Sequence, residues 1–270
     1  MLLLYVLTFA FALWFGCYLL ARDSRKPALR FAGLGLLSYA AALGLDLLMP
    51  YAPGELARWQ TPLLLLPAVF WLGATLNLLP EGAALRPGQP FNQVLPALVA
   101  AGYGLAALLG LGAETHAAYP FLALLIGLLW LAALYTGWRA YRAGLPMRPA
   151  ALLGVGTLFF GLGMGLLLLP LGWLSPQVVL LAVSVDLALL GLAVVMLDAF
   201  EEGEALLPDM LRSLVYAAAA ALLLGGQVAA VMLINGGVTF PLLILLLLVI
   251  ASAIAMQTFA DPLQSLLDRL

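Results

Sequence analysis

The chain has 270 residues, of which 65% are hydrophobic and only 9% are charged, and its formal net charge at pH 7 is −2. A soluble domain typically carries about 25% charged residues, and a chain of this length cannot bury so much apolar surface within its own volume. The composition therefore excludes a soluble globular enzyme, a disordered tail and a nucleic-acid binder. It predicts an integral membrane protein built of membrane-spanning helices, with the lipid bilayer as its surroundings.

The scarcity of ligand side chains restricts the chemistry that the chain can perform. Cys17 is the only cysteine and His116 the only histidine, so the chain cannot form an internal disulfide, a thiolate-held iron–sulfur cluster or a paired-histidine haem site. Lys26, the only lysine, follows the first apolar segment, whereas a retinal Schiff base needs a lysine within a late helix. The sequence also has no glycine-rich phosphate loop. We expect no cofactor, no metal site and no catalytic residue, and therefore no enzymatic activity in this chain.

Apolar segments of sufficient length predict the membrane spans. A helical crossing needs about 20 mostly apolar residues, because backbone polar groups in hydrocarbon must bond within their own helix. Nine segments meet this condition, and they run from Leu2 to Ala21, Ala28 to Met49, Pro62 to Leu79, Val94 to Gly112, Pro120 to Trp138, Pro149 to Gly172, Pro176 to Leu197, Leu211 to Ile234 and Thr239 to Phe259.

The basic residues predict the orientation of these spans. If the N-terminus lies outside and the spans alternate, all of the 11 Lys and Arg residues except Arg58 fall in cytoplasmic segments. Cytoplasmic loops carry such an excess in membrane proteins. We therefore expect an all-α, polytopic transmembrane helical bundle of about nine spans, with seven or eight as alternatives, its N-terminus out and its C-terminus in. Residues 1–260 would form the bundle, and a bacterial inner membrane is the expected location.

Three polar side chains fall within the predicted spans and are candidate intramembrane sites. Asp186 lies near the middle of the seventh span, where a charged group costs about 2.5–3.5 kcal/mol on insertion scales. It is a candidate for a proton relay, a ligand contact or an ion site, or else a protonated carboxyl that bonds to a neighbouring helix. Gln227 and Gln257 are neutral, and hydrogen bonds between helices would explain them.

A candidate outer-face site lies near the end of the second span. Asp46 is either a solvated interfacial carboxylate or, with Trp59, Glu55 and Arg58, part of an outward-facing pocket. The two alternatives differ in whether Asp46 has protein partners.

The last ten residues predict a juxtamembrane amphipathic helix, residues 261–270. Asp261 is placed as its N-cap and Pro262 as its first helical residue. An apolar stripe follows at helical spacing, and its members are Leu263, Leu266, Leu267 and Leu270. Two turns alone make a marginal helix, so we expect the stripe to lie on the membrane, to pack on a partner or to continue into further residues. We interpret it as a candidate coupling helix.

Three stretches carry a resemblance to a known family. They run from Tyr18 to Phe31, with the basic residues Arg22, Arg25, Lys26 and Arg30, from Phe200 to Ser213, and from Phe259 to Leu270. They resemble the multi-pass N-terminal membrane region of bacterial sensor histidine kinases and related signal transducers. The resemblance implies an input region whose last helix leads into a cytoplasmic part. The chain departs from the family by its nine predicted spans, since members often have seven. It also has no phosphoacceptor and ATP-binding regions, so no kinase activity is assigned to it.

These observations predict a membrane-embedded sensory or input module. It would couple a signal in or outside the membrane to a cytoplasmic effector, or to a homodimer partner, through the C-terminal helix. One alternative is a structural subunit of a larger membrane complex, which fits the lipid-like composition. The other is a small-molecule or ion transporter, which depends on Asp186.

Overall fold

The computed structural model describes residues 2–22, 26–51, 57–77, 118–142, 144 and 206–267, together with single residues between 151 and 185. Within these ranges the regular elements are all helical, which confirms the all-α prediction. The long helices are α1 (Leu2–Arg22), α2 (Pro27–Leu48), α3 (Ala57–Asn77), α4 (Ala118–Arg142), α5 (Leu206–Ile234) and α6 (Phe240–Leu267). A short 3-10 turn, Met49–Tyr51, follows α2 directly.

Four of the described helices are long and apolar enough to cross a membrane. The crossing segments are Leu2–Arg22, Pro27–Tyr51, Pro208–Ile234 and Phe240–Ala260. They match the first, second, eighth and ninth predicted spans, and their length and composition are consistent with the predicted membrane protein. The fifth predicted span falls within α4, and the third, predicted from Pro62 to Leu79, overlaps α3 as far as Asn77. The fourth predicted span lies outside the described residues, as do most of the sixth and seventh.

Helix ends follow local rules of the backbone. Pro27 occupies the first turn of α2 after an extended Lys26, where the missing proline N–H costs no hydrogen bond. Two glycines with positive φ, Gly236 at 77° and Gly237 at 152°, end α5. The Gly237 N–H donates to the Met232 carbonyl at 3.0 Å and the Gly236 N–H to the Leu233 carbonyl at 3.4 Å. This is the Schellman arrangement, which satisfies the last carbonyls of the helix and lets α6 begin at once.

Helices α1, α2 and α3 form an antiparallel layer. At one end the Tyr5 hydroxyl donates to Asp46, and two to three turns further along α1 the backbones of Gly16 and Gly33 come into contact. Helix α3 packs on the opposite side of α2. The position of α2 between α1 and α3 buries many of its side chains, including Leu36, Tyr39 and Leu43.

Helices α5 and α6 also pack against α1. They are antiparallel because the turn at Asn235–Thr239 joins them. The Trp14 indole donates to Ser213 near the start of α5, while Gly225, further along, lies against Ile250 of α6. Helix α5 is thus antiparallel to α1, and α1 and α6 run in the same direction. One end of the bundle therefore carries the end of α1, the start of α2, the start of α5 and the end of α6.

The end of α6 differs from the sequence prediction. The predicted helix start at Asp261 is not present, because α6 continues through Asp261 and Pro262 to Leu267. Pro262 has no N–H, so the Thr258 carbonyl loses its usual donor. Extending a formed helix adds one hydrogen bond per residue, whereas a new helix must be nucleated, and this favours continuation. The apolar segment itself ends at Ala260, next to the predicted boundary.

Two other helices begin earlier than predicted. Helix α5 starts at Leu206 rather than Leu211, with Asp209 in its first turn, where a carboxylate interacts favourably with the helix dipole. Helix α3 starts at Ala57 rather than at Pro62. In both cases the helix extends past the apolar window into a more polar segment.

Candidate functional site

An apolar cavity lies between α1, α5 and α6. Its volume is about 450 Å³, within the range of about 300–1,000 Å³ that is typical of small-molecule pockets. The lining residues are Leu4, Val6, Leu7, Thr8, Ala10, Phe11 and Trp14 of α1, Leu214, Ala217, Ala218, Ala221 and Leu222 of α5, and Ile250 and Ile254 of α6. The lining residues that the structure describes all fall inside three of the four segments that are long and apolar enough to cross a membrane.

The cavity offers almost no polar group to a ligand. Among the lining side chains that the structure describes, Thr8 carries the only hydroxyl, and it donates to the Leu4 carbonyl of its own helix at 2.8 Å. The Trp14 indole N–H is directed to the Ser213 hydroxyl at 3.2 Å. Because these donors are already bonded, the cavity can select for shape and hydrocarbon but not for a hydrogen-bonding pattern.

Aromatic rings of α1 form one wall of the cavity. Trp14 lies 5.6 Å from Phe11, 5.8 Å from Phe15 and 5.7 Å from Tyr18, measured between ring centroids. These distances are typical of favourable aromatic pairs. Of these four rings, those of Phe11 and Trp14 line the cavity. The sequence prediction did not include this cluster, although its spacing places the four residues on neighbouring positions of one helix.

The outer-face candidate Asp46 has a partner that the sequence analysis did not name. The Tyr5 hydroxyl donates to the Asp46 Oδ2 at 2.9 Å, and both groups are partly buried. This bond connects the start of α1 to the last turns of α2. The predicted grouping with Trp59, Glu55 and Arg58 falls on side chains outside the described part, so it stays a prediction.

Two of the three intramembrane candidates, Gln227 and Gln257, lie in the described residues and are not brought together. Gln227 on α5 and Gln257 on α6 are both exposed on the surface of the bundle. Gly225, two residues before Gln227, lies against Ile250. Because α5 and α6 are antiparallel, Gln257 is displaced from Gln227 along the bundle by roughly two and a half turns, or about 13 Å. Asp186 lies outside the described residues.

The candidate coupling residues lie in the last turns of α6. Leu263, Leu266 and Leu267 belong to the same helix as the cavity residues Ile250 and Ile254, whereas Leu270 lies outside the described residues. One continuous helix thus joins the cavity to the predicted coupling segment.

In the described part of the chain, no group of three or more His, Cys, Asp or Glu side chains could hold a metal ion. Cys17 is buried in α1. Comparison of the chain with protein-family models, curated proteins and solved structures finds no match.

Proposed function

We propose that the chain is a membrane-embedded sensory or input module that passes a signal to a cytoplasmic effector through α6. The observation that carries this proposal is the continuity of α6 from Phe240 to Leu267. A single helix transmits rotation or translation along its axis better than two helices joined by a loop. The resemblance of the first and last stretches to the membrane region of sensor histidine kinases supports the same function.

The length of α6 supports an output role. Its 28 residues span about 42 Å at ~1.5 Å per residue, whereas the hydrocarbon core of a bilayer is about 30 Å thick. The helix therefore projects beyond the core, and its apolar segment ends at Ala260. The turns that contain Leu263, Leu266 and Leu267 are the ones that would meet an effector or a second copy.

The packing of α6 supports an input role for its other half. Leu243 and Ile254 are completely or almost completely buried, at 0% and 1% exposure. The helix contacts α1, α2 and α5, so a change in the packing of any of these helices reaches it. Shifts of about 1–2 Å between packed helices are a common switching motion.

The charges and helix directions support the proposed topology. The end of the bundle that carries the last turns of α6 also carries Arg22, Lys26, Arg30 and Arg212, as expected of a cytoplasmic face. Because α1 and α6 cross in the same direction, an odd number of spans is favoured, in agreement with nine. An N-terminus outside and a C-terminus inside a bacterial inner membrane is the topology that we propose.

Two adjacent glycines provide a test of coupling through α6. A Cβ added at Gly225 would lie 2.9 Å from the Ile250 Cγ1 of α6, whereas one added at Gly226 would have nothing within 4 Å. The full chain is followed in frame by a cytoplasmic kinase reporter, and autophosphorylation is measured in membranes. We expect Gly225→Ala to change the output at least twofold and Gly226→Ala to leave it unchanged.

The outcomes separate coupling from general damage. Outputs are compared per amount of folded protein in the membrane, because the added methyl group crowds Ile250 at Gly225 and meets nothing at Gly226. Cross-linking of α6 to α1 shows whether Gly225→Ala displaces α6. If α6 is displaced and the output is still the same in both variants and in the parent chain, the proposal is rejected.

A role as a subunit of a larger membrane complex is the second candidate, and Gln227 favours it. Its amide lies on the exposed surface of α5, inside the crossing segment Pro208–Ile234. An amide in hydrocarbon is stabilised by a hydrogen bond to another helix. Co-purification of another membrane protein at fixed stoichiometry from mild detergent, lost in Gln227→Leu and retained in Ala219→Leu, would support this function over the first.

A further inference from the structure

We infer that the cavity between α1, α5 and α6 holds one acyl chain of a membrane lipid, taken from the leaflet on the side where α1 begins. Lipid binding is inferred from the lining and the opening of the cavity alone. The consequence that the lipid controls α6 rests on the proposed function.

The chemistry of the lining selects a hydrocarbon. In the described part of the chain the lining is aliphatic and aromatic apart from Thr8, whose hydroxyl is bonded to the Leu4 carbonyl. A ligand with polar groups along its length would leave them without hydrogen bonds in this cavity, which is unfavourable. A saturated or monounsaturated chain has no such groups, and it fills space that would otherwise lack dispersion contacts.

The cavity opens sideways into the surroundings of the bundle. Leu7 of α1 and Leu222 of α5 line it, yet they are 49% and 67% exposed. Both lie within membrane-crossing segments, so the opening between α1 and α5 faces lipid. Acyl chains are the hydrocarbon present at that opening, and a chain can enter laterally without crossing a polar layer.

The hydrogen bond between α1 and α5 limits the depth of the cavity. The Trp14 indole and the Ser213 hydroxyl join the two helices at 3.2 Å, at the end of the lining farthest from Leu4. From Leu4 to Trp14 the helix rises about 15 Å, roughly half of the hydrocarbon core. This depth fits a chain from one leaflet, and the end near Leu4 identifies the leaflet as the one at the start of α1.

An occupied cavity would bear directly on α6. Ile250 and Ile254 form its α6 wall, and Ile250 also contacts Gly225 of α5. A chain between α1 and α5 therefore pushes on the face of α6 that holds the α5–α6 contact. Lipid composition or chain length is the signal that this arrangement would report.

Two adjacent alanines of α5 provide the test. Ala218 lines the cavity, whereas its neighbour Ala219, which is also exposed, is not among the described lining residues. The purified full chain is placed in nanodiscs that contain phosphatidylethanolamine with a diazirine midway along one acyl chain. After irradiation, lipid-modified peptides are mapped by mass spectrometry for the parent chain, Ala218→Phe and Ala219→Phe.

In the parent chain we expect adducts on cavity residues of α1 and α5 in excess of those on the exposed outer residues Leu223 and Val231 of α5. Ala218→Phe fills the cavity and should lower the cavity adducts at least fivefold, while Ala219→Phe leaves them within twofold. Adducts spread evenly over the surface of α5, or an equal response to both variants, would overturn the inference. If Ala218→Phe does not fold, Leu222→Trp at the opening replaces it, with Leu223→Trp as its control.

The binding inference and the proposed function can fail separately. Site-specific adducts with an unchanged kinase-reporter output in Ala218→Phe would leave the lipid site in place and remove its control of α6. A changed output in Gly225→Ala without site-specific adducts would leave the input module in place and remove the acyl chain as its ligand.

Discussion

Gly16 of α1 and Gly33 of α2 face each other where the two helices cross. A Cβ added at Gly16 would lie 3.0 Å from the Gly33 carbonyl oxygen, and a Cβ added at Gly33 would lie 3.0 Å from the Gly16 carbonyl oxygen. Each added atom would also meet a leucine Cγ at 2.9 Å, that of Leu37 or Leu20 respectively. The backbones are therefore in direct contact, which is how small residues stabilise helix pairs in membranes, where apolar burial gives no advantage over lipid.

Gly16→Ala should destabilise the bundle. The Gly33 carbonyl is backbone and cannot rotate away like a side chain, so α1 and α2 must separate, and overpacking of this kind costs about 1–3 kcal/mol. Thermal unfolding of the full chain in detergent micelles measures the effect.

Gly226→Ala is the matched control for this substitution. It adds the same methyl group where nothing lies within 4 Å, and the better helix propensity of alanine contributes up to about 1 kcal/mol. The control should be neutral or slightly stabilising. Equal losses in Gly16→Ala and Gly226→Ala would contradict a close contact between α1 and α2.

Tyr5→Phe should weaken the connection between the start of α1 and the end of α2. It removes the hydroxyl that donates to Asp46 at 2.9 Å and keeps the ring, so the loss should be about 0.5–1.5 kcal/mol of unfolding free energy. Tyr51→Phe, at an exposed position next to the end of α2, should have little effect. In a double-mutant cycle, Tyr5→Phe should cost much less when Asp46 is already alanine; full additivity would contradict the bond.

The sequence was sufficient to locate the helices that are apolar throughout. A continuous apolar run that begins at Leu2 identifies α1, and another that ends at Ile234 identifies α5. Such runs predict helices because backbone polar groups in hydrocarbon must bond within their own helix. The same reasoning placed α2 and α6. Hydropathy did not predict the helix ends outside the apolar runs. Helix α5 starts at Leu206 and α6 passes through Pro262, because a formed helix propagates into a polar segment.

Contacts between helices could not be predicted from one sequence. Gly16 and Gly33 stand among many other glycines, and composition does not indicate which of them lie at crossings; the sequence analysis missed both. The same holds for Asp46, whose partner Tyr5 is 41 residues away. The cavity needs the relative placement of three helices, two of them near the end of the chain, so no local pattern could reveal it.

Thr157→Val should reveal the contact between α3 and the predicted sixth span. The Trp71 indole N–H donates to the Thr157 hydroxyl at 2.9 Å, and both side chains are buried. Valine has the shape of threonine without the acceptor, and a buried donor left without this partner costs about 1–3 kcal/mol. Thermal unfolding should show this loss for Thr157→Val and a smaller loss for Thr157→Ser, which keeps the hydroxyl. If Thr157→Val and Thr157→Ser lose the same stability, the effect is not due to the hydrogen bond with Trp71.

Cysteine labelling at the two ends of α5 should establish the orientation of the chain. Asp209 and Asn235 are both exposed and lie near opposite ends of this crossing helix. In a Cys17→Ala background, which removes the only native thiol, a membrane-impermeant maleimide should label Asn235→Cys in right-side-out vesicles and Asp209→Cys only in inverted ones. The reason is that Arg212 and the ends of α1 and α6 lie on the Asp209 side, and basic residues are retained in the cytoplasm. The reversed pattern would place the end of α6 outside the cell and remove the cytoplasmic output, and labelling of both positions from one side would show that α5 does not cross the membrane.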